Sequence, residues 1–193
     1  MEQEQSKLLR RPERRQALLA AATRAFARAG FAATSLDEVA TEAGVSRVLI
    51  YRHFESKAEL YQAALDQVAR QLMEATGGPG ALGPGSLDGL VGVGRDNPDG
   101  FRLFFEHSAR EPEFRAHAEW LRAAMTETAL PYIAQVLPDQ AHQRWASALV
   151  PVVVIEAILA WLDAGAPDAE GTASIVQDIV TAVIGAISQG VAR

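Results

Sequence analysis

Cysteine is absent from the 193 residues, and that absence removes several classes of chemistry at once. Disulfide scaffolds, zinc sites built on thiolates, iron–sulfur clusters and cysteine nucleophiles are excluded. The first ten residues are polar and charged, so they hold no apolar core of a secretory signal, and a cytoplasmic protein is expected. Long apolar runs are scarce as well. The one suspect, residues 148–162, carries Pro151 and Glu156 and falls short of the roughly 20 residues needed to span a bilayer, so it reads as a buried helix with no membrane partner. The chain has no Gly-rich phosphate loop, no HExxH, no GxSxG and no internal repeat. Helical di-iron proteins use Glu-x-x-His pairs, whereas here Glu113 and His117 stand four apart and no histidine has a Glu three residues before it. No catalytic residue, metal site or cofactor is therefore assigned.

What is present is a composition ordinary for a globular protein, 49% hydrophobic and 22% charged, in a chain long enough to bury a sizeable core. The net charge of −6 argues against nucleic acid until it is divided along the chain. Residues 7–57 carry ten Lys/Arg against five acids, whereas residues 75–193 carry seven against fourteen. A basic head on an acidic body suits a protein that meets phosphates at one end and something else at the other.

Nearly every segment has helical period and none alternates at period 2, so the class is all-α. Residues 11–29 place Leu18, Ala22, Phe26 and Ala29 on one stripe, with Pro12 in a first turn and Gly30 as the stop. Thr34 and Ser35 offer hydroxyl caps for a helix over 36–43, which Gly44 closes. Ser46 should cap a third helix over 47–54, and Ser56 a fourth over 57–75. The Gly/Pro stretch 77–85 holds no helix and reads as a flexible loop. Helices are expected again over 86–93, 98–110, 112–137, 139–164 and 168–191, with Pro131 and Pro151 kinking or interrupting two of them.

The most specific pattern lies in residues 36–54. Two short helices joined by a three-residue turn must pack closely, which calls for a small residue (Ala40), a glycine at the turn (Gly44) and apolar plugs (Val39, Val45, Ile50). The second helix is short enough to lie in a major groove, and its outward positions Arg47, Val48, Tyr51 and Arg52 are free to meet DNA. Phe54, four residues from Ile50, reads as core, and Tyr51 on the opposite side as a DNA contact. The basic run 7–15 reads equally as a solvated face or as an arm that tracks phosphate or enters the minor groove.

Residues 11–65 resemble the DNA-binding head of the TetR family of bacterial transcriptional regulators. The resemblance rests on Ala-Phe-Ala-Arg-Ala-Gly-Phe at 25–31, Thr34-Ser35, Glu-Ala-Gly-Val-Ser at 42–46, Tyr-Arg-His-Phe at 51–54 and Ser56-Lys57. It implies that Thr34 and Ser35 touch phosphate, that Arg47, Val48 and Leu49 approach bases, that Tyr51 and His53 contact the backbone, and that Lys57 anchors a phosphate at a helix N-terminus. Val48-Leu49 replaces the frequent Gly-Thr of the family, which favours thymine methyl groups over hydrogen-bonded readout.

The resemblance further implies a three-helix head (1–57) joined by a linking helix (57–75) to a C-terminal helical bundle for ligand binding and dimerisation (58–193). The expected partners are double-stranded operator DNA, a second copy through the last two helices, and a small, largely apolar effector. In the last helix Ile175, Ile179 and Val183 form one stripe, and Val176, Val180, Ile184 and Ile187 widen it beyond what one partner covers. In the body, Phe101, Phe105, Trp120 and Met125 are core first and candidate cavity lining second; Arg102, His107 and Glu156 are candidate polar ligand contacts. Glu156 reads first as a buried ion pair or an interface hydrogen bond. The rival reading is an all-α ligand carrier or helical interaction module, which accounts for residues 86–193 but leaves 34–57 unexplained. Salt-dependent retention on DNA separates the two.

Overall fold

The computed structural model describes residues 11–78, 85–168 and 170–191. Residues 7–10 of the basic run and 79–84 of the Gly/Pro stretch lie outside them. All described elements are helices: α1 (Arg11–Ala33), α2 (Leu36–Ala43), α3 (Arg47–Tyr51), α4 (Lys57–Thr76), α5 (Ser86–Asp96), α6 (Pro98–Arg102), a π turn (Leu103–His107), α7 (Ser108–Arg110), α8 (Ala116–Ile133), α9 (Gln140–Asp163) and α10 (Thr172–Val191).

Helix α1 buries Leu18, Ala22 and Phe26, and its helical geometry breaks at Gly30, where φ is 78°. Ala29, expected on the buried stripe, is exposed. Helix α3 is three residues shorter than the 47–54 expected. The amides of His53 and Phe54 both bond to the Ile50 carbonyl, which tightens the chain into a turn and drops the Phe54 ring into the core. Two further boundaries shift for side-chain reasons. Residues 111–115 form turns instead of opening α8, because Phe114 is drawn down onto Tyr61 and Phe31 at centroid distances of 4.5 and 5.0 Å. The chain before α10 is pinned where the Trp161 ring N–H donates to the Pro167 carbonyl at 2.6 Å, so α10 begins at Thr172 instead of 168.

Neither proline interrupts its helix. Pro131 lies near the end of α8, and α9 runs through Pro151 for a further three turns. An interior proline costs about 3 kcal/mol. That cost is offset by burial of Val154, Ile155, Ile158 and Leu159 downstream, since each such side chain contributes about 1.5–3 kcal/mol.

One apolar core runs without a break from α1 and α2 through α4 into α5, α6 and α9, and a small satellite forms around Ile133, Leu137 and Ala146. The buried face of α4 (Leu60, Tyr61, Ala64, Leu65, Val68, Leu72) is shared by head and body. Helix α5 holds three glycines, each a cost to helix stability, and at two of them a close approach repays it. A Cβ on Gly89 would lie 2.1 Å from the Ala75 carbonyl oxygen, and one on Gly94 would lie 3.0 Å from Ile158 Cγ2. The two positions set how closely α5 crosses α4 and α9.

By length and composition alone, α9 and α10 are both long and apolar enough to cross a membrane. The 15-residue limit read from the sequence fails, because the helix around residues 148–162 extends over Gln140–Asp163.

Candidate nucleic-acid interface

The exposed end of the head is built by local capping. The Ser35 hydroxyl accepts from the Glu38 amide at 3.2 Å while the Glu38 carboxylate accepts from the Ser35 amide at 2.6 Å, a reciprocal box that fixes the start of α2. These two bonds hold the Glu38 carboxyl below its ordinary pKa. Gly44 closes α2 in the left-handed region, and its amide and that of Val45 return to the carbonyls of Thr41 and Ala40. Ser46 occupies the cap position of α3 but makes no side-chain cap, so its hydroxyl is not spent on the helix as expected.

Helix α3 rests on Ile50, which is buried, and turns Arg47, Val48, Tyr51 and Arg52 outward. Val48 is 64% exposed and Tyr51 47%. Both side chains are therefore accessible to a molecule outside the chain. Leu49 is half-buried beside them. The Arg47 guanidinium is held by the Asp37 carboxylate at 3.1 Å and by the Tyr51 hydroxyl at 3.2 Å, and it stacks over the Tyr51 ring at 5.6 Å. The i,i+4 pairing of Arg47 with Tyr51 was open to sequence reasoning, but the clamp by Asp37 across the turn was not seen.

Two expected phosphate contacts have internal duties. Thr34 is buried, and its hydroxyl donates to the Gly30 carbonyl at 2.8 Å, which closes the broken end of α1. Lys57 reaches the carbonyls of Phe31 and Thr34 at 2.8 and 3.1 Å and lies 4.4 Å over the Phe31 ring. Its ammonium thus ties the start of α4 to the turn between α1 and α2, where the loop leaves carbonyls without helical partners. Ser35 remains exposed at the N-terminus of α2.

His53 is half-buried, and burial together with the nearby charges of Arg11, Arg14 and Arg15 pushes its pKa below the ordinary histidine value. The same cluster brings Arg15 to 4.9 Å over the Phe54 ring. Residues 11–15 of the basic run are therefore the first turn of α1, gathered beside the end of α3. Arg24 and Arg28 both bind Glu42 at 2.7 Å, bracing α1 against the end of α2. Two cations at i,i+4 facing one acid were the signal available for this brace.

In the body, Phe101 and Phe105 are fully packed, Arg102 pairs with Asp163 at 2.5 Å, and His107 packs against Gly30. Trp120 and Glu156 are exposed, so the buried reading of Glu156 is corrected: its position on α9 points away from the chain's own core. A cavity of ≈260 Å³ lies between α5, α8, α9 and α10. Of the seven candidate ligand residues it is lined by Met125, and the other six lie elsewhere.

Comparison with known proteins supplies the decisive observation. Residues 18–64, which span α1 to the start of α4, match the model of the tetR family of bacterial regulatory proteins. These residues are a TetR-family DNA-binding head. It is 29% identical over 168 residues to the transcriptional activator FasR of Mycolicibacterium smegmatis, a match covering 82% of this chain and 77% of FasR. It is 50% identical over 56 residues to the transcriptional regulator TtgR of Pseudomonas putida, covering 29% of this chain and 27% of TtgR. Among solved structures, a TetR-like regulator from Rhodococcus sp. RHA1 shares the fold with a TM-score of 0.78 at 20% identity, over 92% of this chain and 98% of that one. With this TetR-family head, the chain is a DNA-binding regulator of transcription that uses a helix-turn-helix.

Proposed function

We propose that the protein is a homodimeric repressor that binds a palindromic operator through α3 and is released by a small-molecule effector held in the body. The carrying observation is the outward face of α3, where Arg47, Val48 and Tyr51 stand exposed in a helix-turn-helix whose first helix is capped at both ends. Residues 1–57 supply the DNA contact and 58–193 the dimer and effector site. Five residues of α3 offer too little surface for tight specific binding, and a two-fold pair of heads doubles it. The second copy is proposed to cover the outer faces of α9 and α10, where Val152, Ile175 and Ile179 are exposed. Effector release is a population shift: the ligand favours a spacing of the heads that does not fit successive major grooves.

FasR is named an activator, and that observation favours activation as the second reading. Selection of bound duplexes from a random pool, followed by a reporter carrying the recovered sequence at its promoter, tests both. Repression supports the first reading, activation the second, and failure to enrich any sequence contradicts both.

A further inference from the structure

The outer side of α9 carries a ridge of residues four apart, Arg144, Ala148, Val152, Glu156 and Ala160, and all of them are exposed. A neighbouring ridge, Ser147, Pro151, Ile155 and Leu159, is buried in the chain's own core. Ridges of this spacing are the ones that crossing helices interdigitate. The exposed ridge has a cation towards one end, an acid towards the other and two apolar side chains between them. It is therefore complementary to itself when reversed about position 150: 144 falls opposite 156, and 148 opposite 152.

Neither charge is answered within its own chain. Among the described residues, Arg144 and Glu156 make no ion pair and no hydrogen bond. They share one unbroken helix, where a rise of about 1.5 Å per residue sets them about 18 Å apart, too far to meet. The rest of the face offers Glu156 no substitute. Helix α10 carries a single charge, the acid Asp178. On and beside α9, Asp163 pairs with Arg102 and His142 with Asp139. An apolar surface laid over Glu156 would strip the carboxylate of water without a counter-charge, which is strongly disfavoured. Two copies of α9 crossing antiparallel at position 150 remove that penalty at both ends, because each Glu156 then meets Arg144 of the partner subunit.

We propose that α9 associates with a second copy of itself in this one register, with the two-fold axis beside position 150, Ala148 against Val152, and a reciprocal Arg144–Glu156 ion pair that selects the partner and its alignment. The inference rests on the homodimer reading above and deepens it by naming the residues that decide which surfaces pair.

The test exchanges the charges in the full chain. Arg144→Glu sets acid against acid at both ends of the contact, and Glu156→Arg sets cation against cation. In sedimentation equilibrium each variant alone should dissociate about tenfold or more readily than wild type. Mixed in equal amounts, with one variant carrying a mass tag, the two regain both pairs. Native mass spectrometry should then find heterodimer well above the fraction of about one half that random exchange gives. Arg144→Gln and Glu156→Gln provide a second route should a reversed variant fail to fold. Each should weaken the dimer by about threefold, and the double variant by no more than either, because each side chain acts through the other. Reversed variants that dimerise like wild type, a mixture at the random fraction, or neutral variants whose losses add would each overturn the register while the homodimer stands. A wild-type chain that stays monomeric at micromolar concentration overturns the homodimer reading and the register together.

Discussion

Asp37 restrains Arg47, the residue proposed to reach a base edge. In the free protein its carboxylate holds Arg47 at 3.1 Å, and DNA must exchange that contact for a base edge while bringing phosphates towards the same acid. Asp37→Asn should therefore tighten operator binding by roughly threefold, with a shallower salt dependence of the difference at high ionic strength. Fluorescence anisotropy measures it, and weaker binding would show that Asp37 supports the interface instead of competing with it. Arg47→Ala should relax the choice at one base position by about tenfold and leave other positions unchanged. Equal loss across all sequences would reassign Arg47 to phosphate.

His53 gives a pH dependence with a definite sign. Its pKa in the free protein lies below the ordinary value because burial and Arg11, Arg14 and Arg15 oppose the charged form. The unfolded chain binds the proton more readily, so His53 lowers stability as pH falls from its unfolded pKa towards its folded one, and contributes nothing above that window. Under the proposed DNA contact, phosphates beside the same arginines would offset their field and raise the pKa, so that binding takes up a proton. Operator affinity should rise as pH is lowered from about 8 to about 6, and His53→Gln should flatten that slope. An unchanged slope in the variant would place the titrating group elsewhere. Lys57→Met should lower the melting temperature as well as DNA affinity, because the ammonium anchors two carbonyls, and charged hydrogen bonds of this kind contribute about 1.5–3 kcal/mol each.

At the scale of elements, Gly30 and Gly89, like Gly94, lie where neighbouring elements pack closely against the backbone. Gly30 has φ 78°, and a Cβ there would press on His107 Nδ1 at 3.3 Å. Both Gly30→Ala and Gly89→Ala should destabilise the chain, by about 1–3 kcal/mol for overpacking, in urea unfolding followed by circular dichroism. Gly92, whose Cβ would meet nothing within 4 Å, is the control and should gain slightly from the higher helix propensity of alanine. Capping explains which elements were legible in the sequence. Ser35, Gly44 and Ser56 announce their helices because the signal is local, a hydroxyl or a missing Cβ at a fixed offset. The π turn at Leu103–His107, the late start of α8 and the passage of α9 through Pro151 were hidden because tertiary burial decides them, and no short-range pattern carries that. The site divides in the same way. The outward face of α3 follows from helical period, whereas the engagement of Thr34 and Lys57 with carbonyls depends on where α4 crosses the end of α1. The cavity escaped sequence reasoning because its walls are ordinary aliphatics from four helices, while the conspicuous rings of Phe101 and Phe105 fill the core.

For the whole molecule, the central question is whether one chain suffices. Helix α10 buries only Thr172, Val176 and Val180 and leaves Ile175 and Ile179 at 53% and 41% exposure, a face that a second copy would cover. Ile175→Asp with Ile179→Asp should yield a folded monomer in sedimentation and weaken operator binding by about a hundredfold or more, since each head then binds alone. The most direct measurement is the stoichiometry and affinity of the wild-type chain on the selected operator compared with an isolated half-site, read by sedimentation velocity at matched salt. The account predicts two chains per full duplex and binding to the half-site weaker by about a hundredfold or more. One chain per duplex with equal affinity for half-site and full site would contradict it.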